Sequence, residues 1–100
     1  MTILSNGILT VEISDHGAEL QSIMKNDVEY LWQGDKTYWG RRSPVLFPIV
    51  GSVWESRYRV DGTEYQLGQH GFARDCEFEA INVLDLNRKF NYRFSSFSAI

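Results

Sequence analysis

Tyr58-Arg59-Val60-Asp61-Gly62-Thr63-Glu64-Tyr65-Gln66-Leu67 carries a clear backbone signal. Two short runs of β-branched, aromatic and alternating polar residues flank Asp61-Gly62. The tight two-residue turns that match strand twist need positive φ, which glycine adopts freely and aspartate tolerates, so the stretch predicts a β-hairpin. The same grammar recurs toward the N-terminus. Ile8, Thr10, Glu12 and Ser14 alternate with Leu9, Val11 and Ile13 behind a Ser5-Asn6-Gly7 turn, which predicts a strand entered by a hairpin from residues 2–4. Asp15-His16-Gly17 breaks that pattern, residues 18–24 resume it imperfectly, and Asn26-Asp27 turns the chain back into Val28-Glu29-Tyr30-Leu31-Trp32. Toward the C-terminus, residues 77–84 and 89–95 alternate on either side of Asp85-Leu86-Asn87-Arg88. No stretch carries helical periodicity. The expectation is an all-β chain of about eight short strands joined by hairpins, in the sandwich or barrel class.

Between Gln33 and Gly51 the periodicity stops. Gly34-Asp35-Lys36-Thr37-Tyr38-Trp39-Gly40-Arg41-Arg42-Ser43-Pro44 mixes turn formers with large rings, and a loop of that length inside a domain usually carries function. Val45-Leu46-Phe47-Pro48-Ile49-Val50-Gly51 is apolar, yet Pro44 and Pro48 forbid a regular central strand or helix interior. An extended, buried segment beneath a site is expected. Trp32, Trp39 and Trp54 fall close together in the sequence, and such rings either close a β-structure or line a pocket.

Composition excludes several classes. A net charge of −3 gives no electrostatic reason to bind nucleic acid, since a phosphate backbone needs a positive face. No window reaches the roughly 18 apolar residues of a membrane span, and no basic, then apolar leader opens the chain. A single cysteine, Cys76, allows no intrachain disulfide, and neither a CxxC nor an HExxH metal motif occurs. A cytoplasmic protein without metal or cofactor is expected. At 100 residues the core is modest, and Phe94-Ser95-Ser96-Phe97-Ser98-Ala99-Ile100 ends on apolar residues directly after a predicted strand. We expect one partial domain, residues 1–100, belonging to a larger unit, with association through exposed sheet edges as a route to homo-oligomers.

The chemically densest stretch is Gln69-His70-Gly71-Phe72-Ala73-Arg74-Asp75, which sets an imidazole, a guanidinium and a carboxylate around one glycine. By spacing alone, His70 reads first as a loop histidine bonded to a backbone carbonyl. Arg74 has the alternative of a surface pair with Asp75 or Asp61, a pairing that stabilises little. Asp75 reads as a group that orients or neutralises. His16 lies at a turn with no partner expected nearby for its proton chemistry and reads as structural, and Cys76 reads as a small packed residue without a local base. Arg41 and Arg42 form either a solvated pair or, for one of them, a rim contact.

Taken together and in order, Asp15-His16-Gly17-Ala18-Glu19-Leu20-Gln21-Ser22-Ile23, Tyr30-Leu31-Trp32-Gln33-Gly34, Trp39, Ser43-Pro44-Val45-Leu46-Phe47-Pro48-Ile49-Val50-Gly51 and Gln69-His70-Gly71-Phe72-Ala73-Arg74-Asp75 resemble the N-terminal part of the aldose 1-epimerase (galactose mutarotase) superfamily, in its LacX-like branch. The resemblance implies a β-sandwich of the galactose mutarotase type in a family of much longer chains. It implies interconversion of the α and β anomers of a hexose or related sugar, in carbohydrate metabolism. A base takes the anomeric hydroxyl proton and an acid serves the ring oxygen, a task suited to histidine because it exchanges a proton near neutrality. On the resemblance, His70 is the catalytic candidate, and Arg74, Gln69 and Arg42 are candidate ligands of sugar hydroxyls or of a sugar phosphate. It also implies a second histidine and a glutamate base further along, which no motif in residues 1–100 supplies. A carbohydrate-binding or regulatory module without catalysis is the alternative.

Overall fold

A computed structural model of the chain describes residues 1–81 and the backbone of residues 91–94. The described residues form eight strands: β1 (Thr2–Ser5), β2 (Thr10–Ile13), β3 (Leu20–Lys25), β4 (Val28–Glu29), β5 (Arg57–Val60), β6 (Thr63–Gln66), β7 (Phe78–Ile81) and β8 (Asn91–Phe94). The first four form one antiparallel sheet in the order β1-β2-β3-β4, while β5 pairs with β6 and β7 with β8. Among the described residues the only helical turns are short 3-10 segments, Trp54–Ser56 and Ala73–Asp75. The architecture is all-β, as expected. The Asp85-to-Arg88 turn and the chain end fall outside the described residues.

Turn chemistry explains most of the strand boundaries. At Asn26-Asp27 both residues take positive φ (49° and 61°), and at Asp61-Gly62 the values are 49° and 78°, the geometry of tight hairpin turns. The second turn sets Val60 opposite Thr63 and brings Tyr58 opposite Tyr65, whose rings stack at 5.4 Å. β2 is shorter than its alternation predicts because Asn6 captures the chain before it. The Asn6 side-chain oxygen accepts from the amides of Ile8 (2.9 Å) and Leu9 (2.8 Å), so pairing begins only at Thr10. β4 likewise stops at Glu29 rather than running to Trp32.

In the first sheet Thr2 and Leu4 lie across from Ile13 and Val11, so these four share one face, with Ile23 next in the row beside Val11. Leu4 is 1% exposed and Ile13 is also buried, whereas Ile3 on the opposite face is 60% exposed. Leu67 and Ala73 complete the buried apolar set among the described residues. The expected burial of residues 45–51 is corrected by the structure. Val45, Leu46, Phe47 and Val50 are all exposed, Val50 to 78%. Phe47 meets Gly71 only in an isolated bridge, so among the described residues no continuous sheet lies over the segment, and it forms a wall rather than a floor.

Glu29 ties β3 to the loop that follows. Its carboxylate accepts from the Ser22 hydroxyl and from the amides of Ile23 (2.8 Å) and Leu31 (3.0 Å). The Ser22 bond foremost, then the Ile23 amide, and more weakly the Leu31 amide and the charge of Arg42, hold its pKa below the ordinary 4.5 against the opposing effect of desolvation. Because the folded value is depressed, the stabilisation is fully present above about 4.5 and is lost as pH falls through the lower folded value. Urea unfolding of wild type and Glu29→Gln at a series of pH values should show a gap that is widest near neutrality and closes on acidification below that point. A gap independent of pH would remove ionised Glu29 from the account.

Candidate functional site

The loop from Gln69 to Asp75 is shaped from both sides by backbone contacts. Phe47 provides the first clamp: its amide donates to the His70 carbonyl (3.2 Å), and its own carbonyl accepts from the amides of Phe72 (3.0 Å) and Ala73 (3.1 Å). Gly71 permits this approach. It sits at φ 77°, and a Cβ there would fall 2.6 Å from the Phe47 carbonyl carbon and 2.7 Å from Pro48 Cδ. The Phe47 and Phe72 rings meet edge to face at 6.3 Å, closing the same contact on the side-chain level.

His70 is held by Gly51. The His70 amide donates to the Gly51 carbonyl (2.7 Å), and the Gly51 amide donates to His70 Nδ1 (2.8 Å). A ring nitrogen that accepts a hydrogen bond carries no proton, so the proton of the neutral imidazole lies on Nε2. The backbone of His70 is left-handed at φ 62°, a conformation that histidine and asparagine adopt more readily than most residues.

Trp39, Pro44, Leu46, Gln69, His70 and Arg74 together line a cavity of about 440 Å³. That volume lies within the range of small-ligand pockets, about 300–1,000 Å³. Its wall combines an indole, an amide, an imidazole and one cation, with no carboxylate among the six residues. Arg74 is half-buried, and its Nε is shielded from solvent with no hydrogen-bond partner among the described residues. Asp75, which the sequence offers as its partner, pairs instead with Arg41 at 3.3 Å.

Three of the four residues singled out from sequence, Gln69, His70 and Arg74, thus meet at one cavity. Arg42 is not in its wall. Arg42 Nη1 donates to the Gln21 carbonyl (2.7 Å) and to Gln33 Oε1 (3.0 Å), while the neighbouring Ser43 hydroxyl donates to the Leu20 carbonyl (2.8 Å), which straps the loop along β3. Trp39, Pro44 and Leu46 join the cavity from the aperiodic stretch. Their signal in the sequence was the concentration of rings and prolines in a long loop. Trp39 separates from the other indoles by position: Trp32 Nε1 donates to the Trp39 carbonyl (2.8 Å), and Trp54 is 85% exposed beside a different hollow.

His16 does have a partner, which corrects the expectation of a turn histidine without one. Its Nδ1 lies 2.7 Å from Glu77 Oε1, across 61 residues of chain. Cys76 is half-buried and free. Among the described residues no group of three or more metal-ligating side chains occurs, and no helix is long and apolar enough to cross a membrane.

Comparison with known proteins assigns the class. The family model described as aldose 1-epimerase matches residues 1–96, and the chain belongs to that family. It is 44% identical over 91 residues to the chromosomal LacX protein of Lactococcus lactis, covering 83% of this chain and 30% of that protein. It superposes with a TM-score of 0.80 and 47% identity on a galactose mutarotase related enzyme from Lactobacillus acidophilus, over 83% of this chain and 28% of that one. A galactose mutarotase-like protein from Lactobacillus casei gives a TM-score of 0.79 at 40% identity, over 85% of this chain and 30% of that one. The chain therefore spans less than a third of the length of these relatives.

Proposed function

We propose that the cavity walled by Trp39, Gln69, His70 and Arg74 is part of a sugar site that serves anomer interconversion of a hexose or related aldose. The observation that carries this is the convergence of Gln69, His70 and Arg74, the residues that the sequence resemblance singles out, on a cavity of sugar size in a chain of this family. Trp39 would offer its ring to the C–H face of the pyranose, Gln69 an amide to a hydroxyl, and Arg74 its guanidinium to hydroxyls or to an anionic substituent. Arg42 belongs to the rim in this reading, where its anchoring to Gln21 and Gln33 holds the loop against β3.

The tautomer of His70 defines its part. Ring opening needs the anomeric proton removed and the ring oxygen supported as its bond to C1 breaks. With Nδ1 accepting from Gly51, the neutral ring has its one N–H on Nε2. Surrendering that proton would leave an imidazolate, so His70 acts as a hydrogen-bond donor that orients and polarises a sugar oxygen. Net proton transfer needs another acid, and the base comes from outside this cavity wall. The lack of a carboxylate among the six lining residues favours, as a second reading, sugar binding by this chain without turnover.

His70→Asn separates the roles, because asparagine tolerates left-handed backbone and can still accept from the Gly51 amide while losing the Nε2–H. NMR titration with D-galactose and D-glucose should shift Trp39, His70 and Arg74 resonances in the wild type. In His70→Asn the affinity should fall about 2- to 10-fold. Any exchange between α and β anomers supported by the wild type should fall about 100-fold. Shifts without exchange would select the binding module; no shift with any aldose would sink the proposal.

A further inference from the structure

We propose that His16 is a positioning residue for the cavity, acting through Glu77 to hold the backbone that presents Arg74. The inference rests on the sugar-site reading for the importance of Arg74, and on separate geometry for the role of His16. The turn at Asp15-His16-Gly17 lies directly against residues 74–78. The Gly17 amide donates to the Cys76 carbonyl (2.7 Å), and the Phe78 amide donates to the Asp15 carbonyl (2.8 Å). His16 pairs antiparallel with Glu77 between these two bonds. Gly17, at φ 72°, comes so close that a Cβ would stand 2.6 Å from the Arg74 carbonyl oxygen.

Arg74 is thus fixed from two directions. Phe47 secures the chain before it, through Phe72 and Ala73, and the turn of residues 15–17 secures the chain after it. The backbone clasp sets the position of the Arg74 peptide, and the side-chain link from His16 to Glu77 locks the clasp against sliding or fraying. Both side chains are 59% exposed, so their contact adds little to global stability. Its consequence is local: it governs how often the clasp opens, and so how well Arg74 Nε stays shielded in the cavity wall.

The test compares wild type with His16→Ala and His16→Gln in the full chain. The primary reading is solvent hydrogen exchange of the Arg74 Nε–H, measured by NMR without sugar. In His16→Ala this exchange should accelerate about 2- to 5-fold, the opening that loss of an exposed pair permits, with an unchanged melting temperature and unchanged Leu4 amide exchange. His16→Gln, which keeps a donor for Glu77, should restore wild-type exchange. Titration with D-galactose then reads function, with the dissociation constant expected to rise about 2- to 5-fold in His16→Ala and to recover in His16→Gln. Unchanged Arg74 exchange in His16→Ala overturns the positioning role, as does a failure of His16→Gln to restore it. Altered exchange with no response of Arg74 to sugar in any variant upholds the positioning role and removes the sugar-site reading alone.

Discussion

Gly71→Ala should destabilise the protein by at least about 2–3 kcal/mol, combining the cost of left-handed backbone with forced displacement of the chain at Phe47. The added methyl would fall 2.6 Å from the Phe47 carbonyl carbon and 2.7 Å from Pro48 Cδ. Neither group is a flexible side-chain end that can swing away. Phe47 is held by the hydrogen bond its amide donates to the His70 carbonyl and by the two amides that converge on its own carbonyl, so the loop must part from the segment it leans on. Gly62→Ala is the control. Gly62 has nearly the same φ, 78°, but open space around the missing Cβ, so only the backbone cost of about 1 kcal/mol applies. Urea unfolding of both variants measures the difference. Equal destabilisation would show that the loop yields at Phe47, and the close approach would then have no energetic meaning.

Leu4→Ala should cost about 2–5 kcal/mol, the range for deleting a buried leucine from a core that cannot fully collapse. Leu4 lies opposite Val11 on the inner face of the first sheet and is 1% exposed. Few residues share this burial, so its neighbours have little spare apolar volume to move inward. Ile3→Ala, one residue away and 60% exposed, should change stability by no more than about 0.5 kcal/mol. Thermal or urea unfolding of the pair checks whether alternation along β1 translates into energy. A Leu4 variant as mild as the Ile3 variant would mean that the face is not packed.

The hairpins were legible because their causes are local. Asn26-Asp27 and Asp61-Gly62 adopt the positive φ that their residue types permit, and the strands beside them follow from period-two patterning. The motif around His70 was legible as a concentration of reactive groups and as a family resemblance. Its neighbours in the cavity were legible as a ring-rich and proline-rich loop, but not as members of one wall. Trp39, Pro44 and Leu46 come from a stretch without periodicity, and nothing in their spacing encodes which ring turns toward Arg74. The expectation of a buried segment at residues 45–51 failed because apolar composition states a preference for burial, while coverage depends on which layers the fold brings over it.

The all-β class, most of the turns and the family follow from the order of the residues, because each depends on backbone preferences and side-chain order within short windows. Tertiary structure alone decided the pairing of His16 with Glu77, the diversion of Asp75 to Arg41 and the tautomer of His70 beneath Gly51. Each of these joins groups from 19 to 61 residues apart. At such separations the partner is chosen by how whole strands and loops pack, and no local rule of conformation or charge selects it.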